Sequence, residues 1–95
     1  MEYLLGSIVY LPYNRNLEGF LQCKGQIEPI KGNEALFSLL GTTYGGDGIN
    51  NFALPDLRPW QDPPGPDYGH RVRRDWNQGE IVSYICTNGI YPPWA

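Results

Sequence analysis

The sequence predicts a small, strand-dominated α+β domain with one short helix and long irregular loops. Three observations carry this. Twelve Gly and nine Pro among 95 residues penalise helix interiors throughout the chain. Three Trp, seven Tyr and three Phe add thirteen aromatics, which together with that Gly and Pro content argue against a helical bundle and for a turn-rich, strand-dominated fold. The length suits one core: area scaling gives roughly 5,500 Å² of folded surface against roughly 15,700 Å² unfolded. At ~25 cal/mol per Å² that burial about balances chain entropy, so oligomer contacts or a ligand would add useful stability.

The elements follow in order. Residues 6–13 mix Ile8, Val9, Tyr10 and Leu11 and predict a strand buried on at least one face. Asn14, Arg15 and Asn16 make a polar turn. Residues 18–26 form a second strand candidate, with Phe20, Gln22 and Lys24 on one parity and Leu21 and Cys23 on the other. Asn33 is placed to cap a helix over residues 34–40, with Glu34 at its positive end. Leu36, Leu39 and Leu40 share one face of that helix, and Gly41 stands where a left-handed residue ends it.

Residues 42–48 read as a tight structural loop around Asp47-Gly48. A phosphate loop would need a Lys-Ser/Thr pair and a following helix, and calcium needs six or more oxygen ligands. Residues 59–66 are too rich in Pro for the centre of a sheet. Residues 69–78 are polar and carry Arg71, Arg73 and Arg74. Residues 80–91 return to strand composition, bent or interrupted at Asn88-Gly89.

Charge and cysteine usage exclude several function classes. Seven Lys and Arg against ten Asp and Glu argue against nucleic-acid binding. Residues 56–76 are locally neutral but densely ionic, with Arg58, Arg71, Arg73 and Arg74 facing Asp56, Asp62, Asp67 and Asp75. No stretch approaches the length of a membrane span, and the apolar run at residues 3–11 lacks the basic flank of a signal peptide. Synthesis in the cytosol is expected, with the protein residing in a virion tail or the host cytoplasm. Cys23 and Cys86 are expected as two free, half-buried thiols, a disulfide being open if their strands are neighbours. His70 is the single histidine, so no zinc site forms and nothing ties it to either thiol. No catalytic residue, metal or cofactor is expected, because no acid–base pair or nucleophile pair is present.

Residues 6–58 resemble the tail collar domain of phage short tail fibres and microcystin-dependent-type proteins. The resemblance rests on Gly6-Ser7-Ile8, Gly19-Phe20, Cys23-Lys24-Gly25-Gln26, Asn33 with the run from Ala35 to Gly48, and Phe52 to Arg58. Tyr84-Ile85-Cys86 followed by Asn88-Gly89-Ile90-Tyr91-Pro92 resembles the family's last strand. The chain then divides into the collar motif at 6–58, a short variable insertion at 59–79 and a returning C-terminal strand at 80–95. Two departures stand out. The family's Asp after Cys is Lys24, and its Gly-Arg after Leu-Arg is Pro59-Trp60, which implies a different exit from the collar core. No fibre-shaft repeat or heptad run is present, so a minimal collar domain carried alone is expected.

The resemblance makes Asn33, Gly41, Tyr44, Gly45, Gly46, Asp47, Gly48, Pro55, Asp56 and Arg58 architecture, and implies a structural or receptor-facing homo-oligomer. The candidate binding residues lie in the insertion: Trp60, Tyr68, His70, Arg71, Arg73, Arg74 and Trp76. Aromatic faces with Arg forks suit sugars, sugar acids, phosphates or nucleotide bases. The alternative is a solvated loop whose arginines pair with Asp62, Asp67 and Asp75. In an extended segment Arg71 and Arg73 point together and Arg74 points away. Three functions fit: a self-associating tail module, a trimer as first expectation, that presents the insertion to a cell-surface glycan; a free-standing protein that sequesters a small phosphorylated molecule; or a filament subunit joined through edge strands.

Overall fold

The computed structural model describes residues 3–61 and 71–94. In chain order they form β1 (Ile8–Leu11), β2 (Phe20–Gln22), β3 (Ile27–Pro29), α1 (Glu34–Leu40), β4 (Asn51–Ala53), β5 (Trp60–Gln61), β6 (Val72–Arg73) and β7 (Val82–Cys86). This is the strand-dominated α+β domain with one short helix that the sequence predicts.

The last strand lies at the centre. β7 pairs antiparallel with β1 on one side and β2 on the other, opposing Ile8 to Ile85 and Leu21 to Ile85. All five of its residues are buried. Strand alternation sends Ile85 to one face and Val82 and Tyr84 to the other, so each face needs its own cover. Leu5, Cys23, Leu36, Phe52, Leu54 and Ile85 make the first core, under α1. Trp76, Val82 and Tyr84 make the second, with Val9, Leu11, Leu17 and Phe20 packed around them. Tyr3 packs edge-on against Phe20, ring centroids 5.2 Å apart.

The helix occupies the predicted residues, but its start differs from the expectation. Asn33 makes no side-chain cap; at φ −129° and ψ 27° its backbone is outside capping geometry. Its Nδ2 donates instead to the Pro29 carbonyl at 2.9 Å, and Glu34 Oε1 accepts from the Gly32 N–H at 2.7 Å. Gly41 has the expected positive φ, 57°, with ψ −145°, a region open to glycine, and its N–H donates to the Phe37 carbonyl. Leu36 is buried, while Leu39 and Leu40 are partly buried against the first core.

β3 and β4 pair as a separate ribbon, joined through α1 and the loop after it. Asp47 organises that loop. Its Oδ1 accepts the N–H groups of Ile49, Asn50 and Asn51 at 2.8, 2.9 and 3.1 Å, and Asn51 Oδ1 accepts the Asp47 N–H. Those donors, Asn50 first, hold the Asp47 carboxyl below its ordinary range.

Both thiols are free, and they are fully buried instead of half-buried. β2 and β7 are neighbours, yet alternation separates the sulfurs. Cys86 lies opposite Phe20 and shares the face of Val82 and Tyr84, whereas Cys23 belongs to the first core with Ile85. Burial, with the Asp56 charge, raises the Cys23 thiol to about 12. The folded chain is therefore expected to react slowly with a disulfide reagent at pH 8, and both thiols to react at once in denaturant. Rapid reaction of two thiols in the native chain would contradict this packing.

Candidate functional site

The insertion opens with a two-stranded ribbon that the polar sequence of residues 69–78 did not announce. β5 and β6 pair antiparallel, Trp60 opposite Arg73 and Gln61 opposite Val72. Pro59 helps to anchor its base, since its carbonyl accepts the Arg74 N–H at 3.0 Å. The ribbon is peripheral to the main sheet, where Pro59 is tolerated.

Arg71 and Arg73 fall on one side of β6, as their parity requires. Their Cζ atoms lie 5.4 and 3.7 Å from the centroid of the Trp60 ring. A planar guanidinium on an indole face is a favourable cation–π contact, about 0.5–1 kcal/mol at an exposed position. Arg73 Nη1 also donates to the Arg58 carbonyl at 2.7 Å, which fixes its plane over the ring. Trp60 remains 47% exposed. Together these groups present a half-exposed aromatic ring beneath two cations.

The other insertion residues go elsewhere. Arg74 points away and makes a bidentate pair with Glu80, Nη1 to Oε1 at 2.7 Å and Nη2 to Oε2 at 2.9 Å. Glu80 Oε1 also accepts the Asn77 N–H at 2.5 Å. These donors, Arg74 foremost, lower the Glu80 carboxyl to about 2. Because the folded value lies below the ordinary 4.5, the stabilisation this pair supplies is complete above that pH and disappears as pH falls through about 2. An NMR titration is expected to place the Glu80 midpoint near 2, and Arg74→Gln to return it towards 4.5. An unmoved midpoint in the variant would refute the pairing.

Trp76 does not join the candidate surface. It is 8% exposed and fills the second core, because the face of β7 bearing Val82 and Tyr84 has to be covered. Tyr68 and His70 lie outside the described residues, as do Asp62 and Asp67. Asp75 meets Arg58, at 3.4 Å, where an insertion arginine was the sequence-level alternative. Of the seven candidate residues, Trp60, Arg71 and Arg73 are thus brought together, Arg74 is engaged by Glu80, and Trp76 is core.

The ribbon is joined to the collar-like part through Asp56 and Arg58. Arg58 Nε and Nη2 grip both oxygens of Asp56 at 3.0 and 2.8 Å, which lowers the Asp56 carboxyl and raises the Arg58 guanidinium. Residues 55–57 zip onto residues 23–25: the Gly25 N–H donates to the Pro55 carbonyl and the Leu57 N–H to the Cys23 carbonyl. Lys24 and Asp56 oppose each other in that bridge.

Among the described residues, no group of three His, Cys, Asp or Glu side chains could hold a metal ion. What sequence reading missed is a pair of clefts on the Trp76 side of the sheet, bordered by Arg15 in common. The Lys24 departure was the one signal towards the first of them. The phage tail collar domain family model matches residues 6–60. The match closes at the first residue of β5, so the rest of the ribbon and the central strand β7 lie beyond it. No curated protein and no solved structure matches the chain.

Proposed function

The chain belongs to the phage tail collar domain family, a family of structural tail modules, and from that premise we propose that it self-associates within a tail fibre and turns the Trp60 ribbon towards a receptor. The observation carrying self-association is an unpaired edge in the main sheet. Among the described residues, β1 pairs only with β7 and no strand pairs with its other backbone edge, and Tyr10 on that strand is 60% exposed. Such an edge accepts a strand from another copy. Leu4, Ile90 and Tyr91 add exposed apolar surface where the chain's two ends meet through the Leu4–Ile90 bridge. Among the described residues, no helix is long and apolar enough to cross a membrane.

Native mass spectrometry tests this part. A homo-oligomer, a trimer in the simplest case, is the expected result; a monomer at every concentration overturns it. The open β1 edge also favours a filament reading, for which electron microscopy of concentrated protein should show fibres.

The receptor part rests on Trp60, Arg71 and Arg73. Two guanidiniums over an indole suit an acidic glycan, through charge-assisted hydrogen bonds and ring stacking. The same chemistry suits capture of a small phosphorylated molecule by a free-standing protein. Replacing Arg71 and Arg73 together by Ala is expected to abolish adsorption to cell-surface glycan while leaving the oligomeric state unchanged and lowering the melting temperature by only several degrees, the scale of the lost cation–π contacts. Full adsorption by the double variant would remove the ribbon from the receptor contact. If an extract of small metabolites raises the melting temperature of the intact chain and the double variant loses that rise, the capture reading replaces the glycan one.

A further inference from the structure

We propose that a second site, the cleft bordered by Arg15, Lys24 and Gln22, binds a small organic oxyanion: a carboxylate or phosphate monoester carried on a sugar-sized ring. The cleft measures about 380 Å³ and is also lined by Leu17, Phe20 and Gln26. Its walls combine two cations, three amides and apolar side chains, and among the described residues no carboxylate lines it.

The cations are available. Arg58 is held by Asp56, Arg74 by Glu80, and Arg73 lies on Trp60. Among the described residues, the Arg15 guanidinium and the Lys24 ammonium make no hydrogen bond or ion pair within the chain. Asp56 opposes Lys24 across a β-bridge, but both its oxygens are gripped by Arg58. Two unpaired cations beside one depression, with no neutralising acid among the described residues of its walls, attract an anion.

The cleft is also braced. Tyr84 Oη donates to the Tyr13 carbonyl at 2.7 Å and accepts the Arg15 N–H at 3.0 Å, fixing the backbone that carries Arg15. Gln26 Oε1 accepts the Lys24 N–H and its Nε2 donates to the Gln22 carbonyl, fixing the opposite wall. Gln22 Nε2 donates to Asn14 Oδ1 at 2.6 Å, which aims Gln22 across the cleft mouth. The backbone is therefore held while the charged ends stay available, which lowers the ordering cost of binding. Half-exposed Leu17 and Phe20 supply an apolar wall for one face of a ring, and the size suits a single small ligand. Lys24 is decisive: with an acidic residue at this position, the cleft would hold one cation and one anion.

Titration of the ¹⁵N-labelled full chain with glucuronate, glucose 6-phosphate and glucose tests the site. Either acidic sugar, or both, should shift backbone amides of residues 15–26 saturably, and glucose at the same concentration should not. Glucuronate alone assigns a carboxylate ligand, and glucose 6-phosphate alone assigns a phosphate. Lys24→Asp should weaken binding by about tenfold or more, the scale of one charge-assisted hydrogen bond, while the Arg71 and Arg73 double variant stays within about twofold. If Lys24→Asp loses its dispersed spectrum, Lys24→Gln and Arg15→Gln give the same readout. No saturable shift with either acidic sugar, or undiminished binding in the Lys24 variants, overturns the proposal. Loss of binding only in the Arg71 and Arg73 variant also overturns it, and returns the ligand to the ribbon.

Discussion

Trp76→Ala is expected to destabilise the domain by about 3–5 kcal/mol, the usual cost of emptying a large aromatic site in a core. A domain of this length has only about 5–14 kcal/mol in total. The melting temperature should therefore fall by roughly 15 °C or more. The physical reason is the second core: Trp76 covers Val82 and Tyr84 on the central strand, and no other large side chain in that cluster is as close to full burial among its neighbours from outside the sheet. Trp60→Ala is the matched control. That ring is 47% exposed and stacks against the Arg71 and Arg73 guanidiniums, so its loss should cost no more than about 1 kcal/mol. Thermal unfolding of the two variants side by side checks the assignment. Equal destabilisation would mean that Trp76 is not core, and would return it to the candidate surface.

Gly46→Ala is expected to cost at least about 3 kcal/mol. Gly46 has φ +92°, a conformation that costs an L-residue about 1–2 kcal/mol. A Cβ there would also collide with the Cα of Phe52, while the Asn51 carbonyl oxygen would lie only 3.0 Å away. Phe52 is fully buried, and its ring packs on Phe37 with centroids 5.5 Å apart, so this backbone has no room to yield. Gly32 separates the two effects. It has φ +88° and nothing within 4 Å of an added Cβ, so Gly32→Ala should show the backbone strain alone. Urea unfolding of both variants measures the difference. Equal losses would show that the loop moves aside, and that close approach is not what requires glycine at position 46.

Much of the fold was legible because its signals are local. The spacing of Leu36, Leu39 and Leu40 acts within two turns, and the helix covers the residues that this spacing marks. Gly41, Gly45, Gly46 and Gly48 all carry positive φ, as a glycine-rich loop of this kind requires. Arg71 and Arg73 meet on Trp60 because parity alone decides which side of an extended segment they take. Asn33 shows where local reasoning fails. A capping residue in the right place was diverted by the Pro29 carbonyl, an acceptor at the end of the preceding strand. β6 escaped notice because two residues flanked by arginines show no apolar alternation, and their partner lies across the insertion.

The family, the strand-dominated class, the helix, the glycine loop and the common direction of Arg71 and Arg73 are all readable from neighbouring residues. That the last strand is central, that both its faces are covered, and that Trp76 is core follow from the folded chain. The fold also set Cys23 and Cys86 on opposite faces, and lined one cleft with both Arg15 and Lys24 and, among the described residues, with no carboxylate. The division follows from range. Periodicity and turn chemistry act over a few residues, whereas the bond between Arg15 and Tyr84 joins positions 69 apart. Strand order sets which residues meet across that separation, and strand order is settled by how the whole chain buries its apolar faces.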